Sequence, residues 1–242
     1  MMDRYAEVFN VRGHKYDAAM RAFPSARDEE FLELFRNIDT TSLRTVYDVP
    51  SGGGYLNRFI PPSADLVLFE PSADFGSGGA REIDLENLVL PTGTADLVVS
   101  LAAIHHVSNK IGFFESALQA LRPGGWLCVG DVAKGSNIAL FLDGFVGLHN
   151  GMGHSGAYLE PEAAVYEAIA GENAQLVRCE LAPCRWHFHN AADLTNFCRS
   201  LFGLIDVSDD LILDKLNELI GIESAADGVV LNWELLYLQF HS

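Results

Sequence analysis

Val46-Tyr47-Asp48-Val49-Pro50-Ser51-Gly52-Gly53-Gly54 is the stretch whose reading decides the fold. Its apolar start predicts a strand over residues 45–49. The glycines after it let the backbone approach a ligand at the strand's carboxyl end. A helix is expected from Gly53 to Ile60, stopped by Pro61-Pro62. Outward from this point strands and helices alternate. Further strands are expected at 66–69, 81–83, 95–100 and, after a Pro123-Gly124-Gly125 turn, 126–132, with a helix over about 109–121. Near-continuous apolar strands separated by helices predict an α/β fold with a mostly parallel sheet covered on both faces. The link between the second and third strands carries Gly76, Gly78 and Gly79 and is too short for a full helix.

Residues 1–42 read as an N-terminal helical cap, with Phe31, Leu34 and Phe35 at helical spacing. Residues 43–132 form the core of alternating elements, and 133–174 break the alternation. That segment holds an apolar run over 138–148, glycines at 151, 153 and 156, and a helix beginning near Pro161. It follows a strand end, where such folds place ligands, and reads as a lid after strand five. Over 175–242 the pattern predicts a strand at 175–179, helices near 191–203 and 208–220, and a final strand at 229–240. These strands would complete a seven-stranded sheet with an antiparallel edge. No repeat or linker divides the chain, so one domain over 1–242 is expected.

The 242 residues are 49% hydrophobic and 20% charged, enough for a buried core. Acidic side chains number 33 against 16 basic, for a net charge of −17. Such a surface repels phosphate backbones, which excludes nucleic acid as the expected partner. No apolar run reaches the ~20 residues that cross a bilayer. The first residues lack the basic start and apolar stretch of a signal peptide, so a cytoplasmic protein is expected. Cys179, Cys184, His187 and His189 match no common zinc spacing, and no metal is expected.

Two ligand classes compete for the glycine-rich turn. Dinucleotide binding wants G-x-G-x-x-G, but with Gly52 and Gly54 as the first pair Asn57 stands where the third glycine belongs. Asp48 would repel a pyrophosphate, yet it suits a ligand that carries an ammonium group, as S-adenosylmethionine does. Glu70 at the end of the second strand can accept from both hydroxyls of a ribose, and Asp84 after the third can meet an adenine amino group.

The chain resembles the class I S-adenosylmethionine-dependent methyltransferases of the small-molecule type. Val46–Gly54 resembles the family's first motif, Leu66–Glu70 the second, and Ile83 through Pro91 the third. Ala95–Val107 is similar to its fourth strand and following loop, and Leu121-Arg122-Pro123-Gly124-Gly125 to the turn before strand five. The resemblance covers about residues 44–132 and implies the Rossmann-like methyltransferase fold. By position it implies Asp48, Pro50 and Gly52 at the methionine end of S-adenosylmethionine and Glu70 at its ribose. It implies Asp84 and Leu85 at the adenine, and Ser100 and Leu101 beneath the transferred methyl. Pro50 replaces the family's usual first glycine, which removes a backbone donor from the loop.

The fourth strand lacks the Asn/Asp-Pro-Pro-aromatic sequence of amide and adenine methylation, and also a Pro-Cys nucleophile. A small-molecule oxygen, nitrogen or activated carbon is therefore the expected methyl acceptor. Such in-line transfer depends on alignment and desolvation, with a base for a poor nucleophile. His106 and His154 are the candidate catalytic pair, and Tyr16, His105 and Tyr158 candidate substrate contacts. Two rivals remain: a catalytically silent cofactor-binding or protein-interaction module on the same fold, and an NAD-type oxidoreductase.

Overall fold

The computed structural model describes residues 5–75 and 78–242, so Gly76 lies outside the described residues. In chain order its strands are β1 (Thr45–Asp48), β2 (Asp65–Leu68), β3 (Ala95–Leu101), β4 (Leu121–Asp131) and β5 (Gln175–Pro183). They are followed by β6 (Trp186–Phe188), β7 (Ile222–Ala225), β8 (Gly228–Leu231) and β9 (Glu234–His241). The main sheet has six strands in the order β2-β1-β3-β4-β9-β5. The first four run parallel, with Val46 opposite both Leu66 and Leu97. β9 is antiparallel to both neighbours, which supplies the expected antiparallel side.

Four expectations are corrected. The third strand at 81–83 is a single bridge, Arg81 to Phe69, which leaves six strands rather than seven. Arg81 and Glu82 are exposed, so no burial holds a longer pairing together. The helix at 53–60 is one 3₁₀ turn, Tyr55–Arg58, squeezed between the left-handed Gly54 (φ 76°) and Pro61. The strand at 229–240 is two strands: β8 belongs to a second sheet, ordered β6-β8-β7, and the chain leaves it at Asn232-Trp233 to enter β9. β4 starts earlier than expected, because the Pro123-Gly124-Gly125 turn is absorbed as an irregularity between Leu121 opposite Ala95 and Trp126 opposite Leu97.

Helices α1 (Tyr5–Ala22), α2 (Asp28–Leu34), α3 (Lys110–Gln119) and α4 (Asn137–Leu140) come first. α4 runs through a π-helical turn, Phe141–Val146, into α5 (Gly147–His149). α6 (Ala163–Ala170), α7 (Ala191–Phe202) and α8 (Asp209–Leu219) complete the set. The starts of α3, α4, α7 and α8 follow capping chemistry: Asn109, Ser136, Asn190 and Ser208 each accept a backbone N–H of the first turn.

Each face of the sheet has its own core. Leu97, Val99 and Cys128 pack with α2, the 137–149 helix, α7 and α8. Val98, Leu127 and Val129 pack with Phe113 and Phe114 of α3 and Tyr166 of α6. α1 crosses the carboxyl ends of the strands. Tyr5 reaches Glu70, Gly13 lies against the Asp74–Phe75 backbone, and Arg12 donates to the Leu201 carbonyl at 2.8 Å. No helix among the described residues is long and apolar enough to cross a membrane.

Candidate functional site

The loop after β1 is built by three backbone bonds. Val49 N donates to Val99 O, Ser51 N to Phe69 O and Gly54 N to Ser51 O, at 2.8–2.9 Å. Gly52 sits at φ 51°, where a side chain is strained. The loop folds over a cavity lined by Asp48, Pro50, Ser51, Gly52, Leu101 and Tyr16 among others. Asp48 is only 6% exposed and has no ion-pair partner among the described residues. Burial, and then the charge of Glu70, pushes its carboxyl well above the usual range. Ser51 Oγ is buried and finds no hydrogen-bond partner among the described residues. A desolvated carboxylate and an orphan hydroxyl facing one cavity fit a polar, cationic ligand.

Glu70 accepts Gly52 N–H at 2.8 Å, Ser72 N–H at 2.9 Å and the Tyr5 hydroxyl at 3.2 Å. Burial raises it to about 7 against the pull of those donors. Burial, then the charge of Glu70, keeps the Tyr5 phenol protonated as a donor. Tyr5 lines the Asp48 cavity on one side and, on the other, a groove containing Asp84, Leu85 and His106. It therefore stands between the places expected for the two ends of the cofactor. Asp84 accepts Glu86 N–H at 2.9 Å and Asn87 Nδ2 at 2.7 Å, and so shapes its own turn at the groove. Leu101 reaches the cavity, whereas Ser100, fully buried, points to the opposite face of β3.

A second cavity adjoins the first and shares Phe9, Tyr16, Arg27 and Ala102 with it. Tyr16 accepts a hydrogen bond from Arg27, whose guanidinium also holds the fully buried Glu30 at 2.5 and 3.0 Å. Trp186, Phe202 and Trp233 form an apolar wall, with Leu142 and Val146 from the 137–149 helix. His105, His106 and His154 line the opposite part. Nδ1 of His105 donates to Asp131 Oδ1 at 2.7 Å, and the other Asp131 oxygen accepts Ala103 N–H and His105 N–H. Burial opposes the charge of Asp131, but the charge and hydrogen bond of His105, the Val132 N–H and the charge of Lys110 hold it below the usual range. Nδ1 of His154 donates to Asp143 Oδ1 at 2.8 Å, an oxygen that also accepts Gly156 N–H and the Tyr158 hydroxyl. Burial, then the neighbouring His105, pulls His154 down to about 4. It is neutral near pH 7.

Of the expected residues, Asp48, Pro50, Gly52 and Leu101 line the first cavity, His105, His106 and His154 the second, and Tyr16 both. Asp84 and Leu85 lie in the groove beyond Tyr5, Glu70 and Tyr158 are bonded behind the lining to Gly52 and Asp143, and Ser100 faces away. His154 and Tyr158 are tied there by Asp143, and Ala157 N–H bonds to His105 O at 2.7 Å. Cys179, Cys184, His187 and His189 do not converge, and His187 bonds Glu29 instead. Arg12, Arg27, Trp186, Asp131 and Asp143 also build the site and were not foreseen. Asp131 alone left a signal, as an acid at a strand's carboxyl end.

The profile of a family described as "Methyltransferase domain" matches residues 69–129. The trans-aconitate 2-methyltransferase of Mycobacterium tuberculosis is 30% identical over 116 residues, 45% of this chain and 44% of that protein. The ubiquinone/menaquinone biosynthesis C-methyltransferase UbiE of Pseudomonas savastanoi pv. phaseolicola is 29% identical over 156 residues, 56% of this chain and 60% of that one. The chain thus spans about half the length of the relatives it matches. In structure, an S-adenosylmethionine-dependent methyltransferase from Mesorhizobium loti superposes with a TM-score of 0.54 at 16% identity. The alignment covers 88% of this chain and 98% of that one. That likeness is one of fold.

Proposed function

We propose that this chain, which has the fold of the class I S-adenosylmethionine-dependent methyltransferases, binds S-adenosylmethionine and passes its methyl group to a small organic acceptor. The observation that carries the reading is Asp48: a buried carboxylate beside Glu70, facing the glycine-rich cavity with no ion-pair partner among the described residues, since Arg27 in the same lining is paired with Glu30. The bound cofactor supplies an electrophilic methyl group on a sulfonium. The chain's part is to bind, align and exclude water. Asp48 pairs with the ammonium group, and Pro50 and Gly52 shape the loop around it. Glu70 serves the ribose, and Asp84 with Leu85 the adenine. Leu101 forms the floor beneath the methyl, with Ser100 contributing through its place in β3.

The second cavity takes the acceptor. Its apolar wall receives the acceptor's body, while Tyr16, His105 and Tyr158 surround the reacting end. His106 and His154 activate the acceptor atom so that it loses its proton before or during transfer. The relatives named for trans-aconitate and for a quinone pathway support a small molecule as the class, as does the net charge of −17 against nucleic acid. Calorimetry tests the reading with S-adenosylmethionine and its demethylated product. One equivalent should bind, and Asp48→Asn should weaken binding by ~1.5–3 kcal/mol, the value of a charge-assisted contact. Failure of the folded protein to bind either compound, or binding of NADH in their place, would overturn it.

A further inference from the structure

His105, His106 and His154 have a use beyond lining the cavity. Each offers one ring nitrogen, and these three atoms lie within 4.8 Å of one another. His105 and His106 are delivered together by the Ile104–His106 turn after β3, and His154 by the glycine-flanked loop that follows the 137–149 helix. The ring centroids are 4.1, 5.6 and 5.5 Å apart. Two of the rings are backed by carboxylates, His105 by the fully buried Asp131 and His154 by Asp143, both through Nδ1.

A carboxylate behind an imidazole is the arrangement that surrounds metal-bound histidines. It accepts a hydrogen bond from Nδ1–H, fixes the tautomer, and leaves Nε2 as the basic nitrogen for the ion. Here it occurs twice around one point. The two carboxylates also supply negative charge that would offset a dication held out of water. Three imidazoles suit zinc and its first-row neighbours, whereas magnesium and calcium want oxygen ligands.

We propose that His105, His106 and His154 form a binding site for one divalent transition-metal ion of the zinc class. The fourth position opens onto the cavity and takes an oxygen of the methyl acceptor. Metal–nitrogen distances of about 2.0–2.1 Å place tetrahedral ligand atoms roughly 3.3 Å apart, so from separations within 4.8 Å the trio closes by up to about 1.5 Å on binding. Rotation of the rings and movement of the His154 loop provide that. With the ion bound, His106 and His154 act on the acceptor as ligands and not as bases: an oxygen held on the ion is more acidic than the free group, so its proton passes to water and leaves a better nucleophile. Only this last ligand rests on the proposed acceptor cavity; the ion site does not.

The test uses the full chain stripped with a chelator and dialysed. It is titrated with zinc chloride by calorimetry and with cobalt(II) chloride by visible absorption. One ion per chain is expected, with the intense bands of tetrahedral cobalt. His105→Ala and His154→Ala should each weaken binding at least tenfold. Asp143→Asn, which keeps all three ligands, should weaken it by about tenfold. His187→Ala, on the surface pair with Glu29, should leave it unchanged. Circular dichroism checks the fold of each variant, and if His105→Ala unfolds, His154→Ala and Asp143→Asn still decide. Absence of saturable binding to the wild type overturns the proposal. So does equal binding by the wild type, His154→Ala and Asp143→Asn. Calorimetry with S-adenosylmethionine on the same samples reads the methyltransferase reading separately, because ion binding needs no cofactor.

Discussion

Buried next to one another, Asp48 and Glu70 couple this site to pH. Glu70 ordinarily titrates near 4.5 and is raised to about 7 here by burial, and Asp48 is raised too. A raised carboxyl favours the folded state while protonated. Its contribution is full below pH 4.5 and is lost as pH climbs through about 7. Stability should therefore fall across that window, and Glu70→Gln should flatten the fall in denaturant titrations followed at several pH values. A cationic ligand acts in the opposite sense, because it favours the ionised carboxylates. Binding of S-adenosylmethionine should release protons and tighten as pH rises through about 7, measurable by calorimetry in buffers of differing ionisation heat. Tyr5→Phe removes the phenol that bonds Glu70 where the ribose is expected. We expect it to strengthen cofactor binding by ~1 kcal/mol, and weaker binding would mean that the phenol assists the ligand. Asp48 and Glu70 stood out because each lies at the end of a strand at motif spacing, whereas Asp84 was singled out after a strand that the structure reduces to one bridge. Tyr5 was not, since it lies 65 positions from Glu70 and only the docking of α1 joins them.

The strands that carry the site were legible as elements because burial on both faces demands continuous apolar runs. What failed were segments whose state depends on neighbours. Residues 81–83 lost their strand for want of cover, and 229–240 divided because β8 and β9 are claimed by different sheets. β4 shows how tightly an element can hold the cavity. A Cβ on Gly130 would come within 2.8 Å of Tyr237 Cε1 and 3.0 Å of Leu101 Cδ1, and Leu101 lines the Asp48 cavity. Gly130→Ala should cost ~1–3 kcal/mol in thermal denaturation through overpacking, and should weaken cofactor binding by displacing Leu101. An unchanged melting temperature would show that the strand relaxes there.

For the molecule as a whole, charge makes the clearest prediction. With a net charge of −17, the chain should show no salt-sensitive binding to DNA or RNA in gel-shift assays at low salt. Micromolar binding there would reopen nucleic acid as an acceptor. The sequence by itself determined the parallel sheet, the glycine-rich turn and the order of acids along the strand ends. These follow from local periodicity and from spacing within one stretch of chain. Only the tertiary structure decided that Tyr5 stands between the Asp48 cavity and the Asp84 groove, that Arg27 joins the two cavities, and that Asp131 and Asp143 back two of three converging histidines. Those relations join residues from distant elements, and only packing of α1, β4 and the 137–149 helix at one sheet edge brings them within bonding distance.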